Sequence, residues 1–170
     1  LLAGQGHDAP WVVVEADEFD RSFLTLHPKH AVITSTDADH LDIYGDAAAL
    51  HRSFSEFAGQ VEEDGILLHV DASRALRDSL GPDALPQHTL YGEVSQDTLP
   101  EPWEGGYGDV GRDPSGLAAF DLHLTGHSPL HVTWTMPGMH NAANATAAAI
   151  LAVRAGMDAA QIPQALQAFP

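Results

Sequence analysis

Cysteine is absent from all 170 residues, which excludes a disulfide framework and any zinc site built on thiolates, and fits a reducing compartment. Basic residues are nearly as scarce: Lys29 is the sole lysine among 7 cationic side chains, against 24 carboxylates. The formal charge of −17 repels phosphate backbones and anionic lipid, so neither nucleic acid nor membrane is expected as a partner. The acids are spread along the chain, which suits a surface adapted to high salt and equally an ordinary solubility surface. No run of about 18 apolar residues occurs and residues 1–10 lack the basic start of a signal peptide, so a cytoplasmic protein is expected. Three catalytic signatures are missing as well: the G-x-x-x-x-G-K-[ST] phosphate loop, the G-x-S-x-G elbow and the H-E-x-x-H helix.

What is present is enough for one domain over residues 1–170, with 44% hydrophobic residues to fill a core. "WVVVEADE" (11–18) and "HAVITSTDADH" (30–40) each run from apolar residues into acids, and both read as buried parallel strands. Asp46 is placed to cap a helix over 47–58, where Leu50, Phe54 and Phe57 share a face and Gly59 stops it. "GILLHV" (65–70) predicts a third strand, Asp71 a short helix to about Leu80, and "QHTLYG" (87–92) a fourth strand. Residues 92–116, crowded with Gly, Pro and acids, predict a loop. The alternation either side of "TGHSP" predicts an antiparallel hairpin, and 140–156 an alanine-rich helix ended by Gly156. A last helix from Asp158 towards Phe169 carries Ile162, Leu166 and Phe169 on one face and is expected to lose one hydrogen bond at Pro163. The expected fold is therefore α/β, a Rossmann-like, doubly wound, mostly parallel sheet with helices on both faces plus an antiparallel hairpin.

In such sheets ligands gather at the carboxyl ends of the strands. Glu15 would close the first strand and His40 the second, so adjacent parallel strands would bring the two together around a divalent ion, with the carboxylate suited to Mg²⁺ and the imidazole more at home with Mn²⁺ or Zn²⁺. The competing reading makes Glu15 and Asp17 solvated acids and His40 a capping or core histidine. Glu18, Asp20, Arg21, Asp37, Asp39 and Asp42 lie close enough in sequence to orient ligands, or to be plain surface residues. His140, Asn141 and Asn144 fall in the first turn of the alanine-rich helix; the two amides could read the edge of a base, or Asn141 could cap the helix.

Three segments in order, "EADEFDRSF", "DADHLD" and "GMHNAANATAA", resemble the central domain of the Mur ligases, and within them the alanine-adding branch. The resemblance runs over essentially the whole chain, weakest across 81–116. It implies an ATP-dependent ligase of peptidoglycan synthesis that joins L-alanine to UDP-N-acetylmuramate through an acyl phosphate. It further implies Glu15 and His40 as ligands of Mg²⁺ (or Mn²⁺), His140, Asn141 and Asn144 as contacts to the adenine of ATP, and Glu18, Asp20 and Ser22 beside the substrate channel. The family's phosphate loop, N-terminal UDP-binding domain and C-terminal domain have no counterpart in these residues, so the chain is expected to be a piece of that central domain, inactive alone and prone to self-association through an exposed sheet edge. Some relatives carry a carbamylated lysine downstream of the D-H-x-D segment, and no lysine follows Lys29.

Other readings stand beside this one. Another Mur-type ligase, or a folylpolyglutamate synthase relative, would share the fold and differ around the D-H pair. A metal-dependent hydrolase on Asp37, Asp39 and His40 would be active in isolation, and a noncatalytic acidic binding domain would be indifferent to metal.

Overall fold

The structure, a computed structural model, describes residues 11–37, 41–70, 88–94, 99 and 103–169. Short apolar runs supply the strands of a six-stranded sheet: β1 (His30–Ile33), β2 (Ile66–Val70), β3 (His88–Glu93), β4 (Trp103–Arg112), β5 (Ala118–Leu124) and β6 (Leu130–Trp134). They lie side by side in chain order, β1 to β4 parallel and β4–β5–β6 antiparallel. Reversing direction twice, β6 points the same way as β1–β4, so whatever follows β6 starts from the same edge of the sheet as whatever follows β1.

Helices cover both faces, as an α/β sheet whose strands are apolar on both sides requires. On one face α2 (Ala47–Ala58) and a 3₁₀ turn (Ser22–Thr25) pack Phe57, Ala58 and Phe23 on Ala31, Ile33 and Leu67. Asp46 accepts from the Ala49 N–H at 2.7 Å, the expected cap, which satisfies one of the helix's free donors. On the other face α3 (Met139–Arg154) and α4 (Ile162–Gln167) close a larger core around Phe120, Leu122 and Val132, all at most 1% exposed. Each such side chain contributes about 1.5–3 kcal/mol over an exposed one. α3 can lie close because its inward face is alanine: Ala142, Ala145, Ala149 and the longer Ile150 are buried. Gly156, at φ +100°, ends it by turning the chain where other residues are strained.

Three expectations change. Residues 11–18 form no regular element and pair with no strand among the described residues, and Val12, Val13 and Val14 are 85%, 73% and 58% exposed. An apolar run becomes a strand only through a ladder; here the segment meets β1 through side chains, the Trp11 ring stacked 5.4 Å from that of His30. The predicted loop over 92–116 contains β4, ten residues long, because its glycines serve close approach rather than turning. Pro163 sits in the first turn of α4, preceded by a 3₁₀ turn (Ala159–Gln161) that Asp158 caps; its missing N–H falls where a helix has no internal partner, so the expected loss does not occur. The helix expected after Asp71 lies outside the described residues. No helix among the described residues is long and apolar enough to cross a membrane.

Candidate functional site

Beyond Ile33 the chain leaves β1 through Thr34, Ser35, Thr36 and Asp37, and all of these but Thr36 line one wall of a cleft of about 380 Å³. The wall is held from two sides. Ser35 Oγ accepts from the Asp37 N–H at 3.0 Å. The carbonyl of buried Thr36 lies 3.2 Å from the His51 Nε2 on α2. Ala16 and Glu18 form the opposing wall, and Phe23, Phe54 and Phe57 line the apolar part between them. Two carboxylates, Glu18 and Asp37, and two hydroxyls, Thr34 and Ser35, therefore face one space at the carboxyl end of a parallel strand, where α/β sheets place ligands.

The wall that carries Glu18 is a tight turn. Asp17 accepts from the Phe19 N–H at 2.9 Å, and the Glu18 carbonyl accepts from the Arg21 N–H at 3.2 Å. Asp20 accepts from the Ser22 N–H at 2.8 Å; the hydroxyl and amide of Ser22 together hold the Asp20 carboxyl below its ordinary value. Arg21 adopts the left-handed conformation, φ 62°, which is unfavourable for a residue with a Cβ and locates strain at this turn. Phe23, 2% exposed, then anchors the turn in the core.

Of the residues singled out in the sequence, Glu18 and Asp37 are brought together by the cleft, while Asp20 and Ser22 are exposed on the turn behind Glu18. Glu15 is exposed on the same segment, next to Ala16 of the lining. His40 and Asp39 lie outside the described residues, as does the side chain of Asp42. Among the described residues no group of three or more His, Asp or Glu side chains is placed to hold a metal ion. The strand that was to carry Glu15 to meet His40 is not formed, so the meeting of the two segments rests on the 16–23 turn and the β1 exit instead.

The helix that follows β6 begins at the same edge of the sheet. Its N-cap is Gly138, with no side-chain cap, so the expected capping by Asn141 is not what the structure shows: Asn141 Nδ2 instead donates back to the Pro137 carbonyl at 2.7 Å. Asn141 is a turn beyond the N-cap, where an amide reaches the preceding carbonyls and not the free N–H groups. His140 and Asn144 are exposed at this helix start, and neither side chain makes a hydrogen bond among the described residues. His140, in the first turn, stands where the free N–H groups and the helix dipole favour polar and anionic ligands, and Asn144 lies one turn further on.

One residue was not singled out in the sequence. Tyr44, the last residue of the short helix α1 (Leu41–Tyr44), is 5% exposed, donates its hydroxyl to the Glu18 carbonyl and lies under the Arg21 guanidinium, 4.7 Å from the ring centroid. The only signal for it is an aromatic four residues after His40, and such a residue is ordinarily core.

Comparison with known proteins places these segments in a wider frame. The family model described as Mur ligase middle domain matches residues 4–152. UDP-N-acetylmuramate–L-alanine ligases from Christiangramia forsetii and Thermobifida fusca are 39% and 38% identical, each over 93% of this chain but 31% and 33% of their own length. The chain thus spans about a third of the curated relatives it matches. Among solved structures, a UDP-N-acetylmuramate:L-alanyl-γ-D-glutamyl-meso-diaminopimelate ligase from Neisseria meningitides superposes with TM-score 0.71 at 27% identity, covering 92% of this chain and 47% of that one. A UDP-N-acetylmuramate-alanine ligase from Thermotoga maritima does so with TM-score 0.63 at 21% identity, covering 91% and 32%; it shows the shared fold.

Proposed function

The chain belongs to the Mur ligase middle-domain family, and on that premise we propose that residues 1–170 are the central, ATP-binding domain of a cytoplasmic ligase joining L-alanine to UDP-N-acetylmuramate in peptidoglycan synthesis. In this reading the γ-phosphoryl group of ATP passes to the muramate carboxylate with release of ADP, and the alanine amine then displaces phosphate from the acyl phosphate. The observation that carries it is the cleft at the β1 exit, with Glu18 and Asp37 facing one space at the sheet edge from which α3 also starts.

The donors present suit a hard divalent cation: carboxylate and hydroxyl oxygens, with no thiolate. Glu15 and His40 would hold Mg²⁺ (or Mn²⁺), which neutralises phosphate charge when bound. Glu18, Asp20 and Ser22 would line the substrate side, and His140, Asn141 and Asn144 the adenine side. Phosphoryl transfer asks a protein mainly for positioning and electrostatics, which such donors provide. The β and γ phosphates also need a backbone cradle and a lysine, and no phosphate-loop motif occurs in these 170 residues.

The test uses the full-length protein. His40→Ala and Glu15→Gln are each expected to reduce L-alanine-dependent ADP formation at least about 100-fold with melting temperature nearly unchanged. Near-normal turnover by a folded His40→Ala protein overturns the assignment. The 170-residue chain by itself is expected to form no ADP. A second reading, tripeptide rather than alanine addition, is favoured by the similarity to the Neisseria meningitides ligase; turnover with the tripeptide and not with L-alanine would select it.

A further inference from the structure

The two walls of the cleft are distant in sequence, and one side chain ties them together. Tyr44 is the fourth residue after His40, and its hydroxyl donates to the carbonyl of Glu18, 26 positions away. Its ring carries the Arg21 guanidinium at 4.7 Å, and Arg21 is the residue whose φ of 62° makes the turn. The contact is therefore double, one hydrogen bond to the start of the turn and one cation–π contact to its strained centre. The latter opposes the cost of a left-handed arginine.

We propose that Tyr44 is a positioning residue for cation binding: by clamping the 18–21 turn to α1, it sets where Glu18 stands across the cleft from Asp37, Thr34 and Ser35, and hence the affinity for the divalent cation. The proposal rests on the ligase reading above and adds a residue to it that touches neither cation nor substrate. The surroundings keep the clamp in its working form. Burial, and beyond it the carboxylates of Glu18, Asp20 and Asp17, push the Tyr44 phenol above its ordinary value against the opposing effect of Arg21, so the hydroxyl remains a donor at neutral pH. Phe23 fixes the far end of the turn in the α2-side core, and Tyr44 holds the Glu18 carbonyl at its start. Releasing the start lets Glu15 to Glu18 sample positions in which one wall of the site is misplaced. Outer partners that orient ligands typically change metal affinity about 10- to 100-fold when removed.

The experiment compares full-length wild-type, Tyr44→Phe and Arg21→Gln proteins. Tyr44→Phe is expected to raise the apparent KM for Mg²⁺ about tenfold, with kcat at saturating Mg²⁺ within about twofold of wild type, since what is lost is cation binding common to ground and transition states. Arg21→Gln, at an exposed position that does not endanger folding, is expected to move KM in the same direction by a smaller factor. Trypsin is expected to cut after Arg21 faster in Tyr44→Phe than in wild type. An unchanged Mg²⁺ KM in both variants, or a loss of kcat that saturating Mg²⁺ does not restore, overturns the proposal. If Tyr44→Phe does not fold, Arg21→Gln decides. A wild-type protein without cation-dependent turnover overturns the ligase reading and the cation role of Tyr44 with it, whereas the tryptic rate still reports whether the clamp exists.

Discussion

His30 opens β1 at its exposed edge, and its Nδ1 accepts the Ile66 N–H at 3.1 Å, a role open only to a neutral imidazole. Burial first, then Lys29 and Arg154, push its pKa below the ordinary 6.5, while Asp64 and Glu62 oppose them. A lowered histidine pKa contributes stability that is present above 6.5 and lost as pH falls through the folded-state value. The melting temperature should therefore fall below pH 6.5 more steeply in wild type than in His30→Phe, which keeps a ring to stack on Trp11; equal slopes would assign the titration elsewhere. At this scale the legible residues were those acting on near neighbours. Asp46 announces itself as a cap because its partner, Ala49, is three residues on. Tyr44 gives no comparable signal, since the carbonyl it holds belongs to Glu18 and only folding brings them together.

β4 shows why an element can be illegible while its neighbours are plain. The hairpin of β5 and β6 was readable because alternation and a turn lie in one stretch, and its register confirms it, Phe120 opposite Val132. β4 is written in turn formers, yet its partners on both sides make it a strand. A Cβ on Gly106 would lie 2.6 Å from Val94 Cγ1 and 2.9 Å from the Gly92 carbonyl, so glycine is required for β3 and β4 to approach. Gly106→Ala should cost about 1–3 kcal/mol, read as a lower urea midpoint at unchanged slope. A midpoint within error of wild type would mean that β3 yields at no cost. The opposite error, a strand expected over 11–18, has the same root: three valines specify a tendency to extend, and a partner decides whether a ladder forms.

For the molecule as a whole, charge is the dominant excess. The surface pairs Lys29–Asp64 at 2.7 Å and Arg154–Glu104 offset little of it, because solvent screens such pairs and their long side chains lose freedom in making them. With 24 carboxylates against 7 cations, repulsion outweighs those pairs, and screening it should stabilise the fold. Raising KCl from 0.1 to 1 M, which shortens the Debye length from about 10 to about 3 Å, is expected to raise the melting temperature; a fall would show that the ion pairs matter more than the net field. The strand order has a different consequence, for the time course of folding. Each described strand neighbours the next in sequence, and the loops to be closed are shortest at the carboxyl-terminal end of the sheet, where β4, β5 and β6 form a meander under α3. That end nucleates most cheaply, yet it leaves the ribosome after the parallel strands. The apolar valines and parallel strands of the preceding half are thus made before the meander and consolidated after it, and during synthesis they depend on their acidic neighbours for solubility.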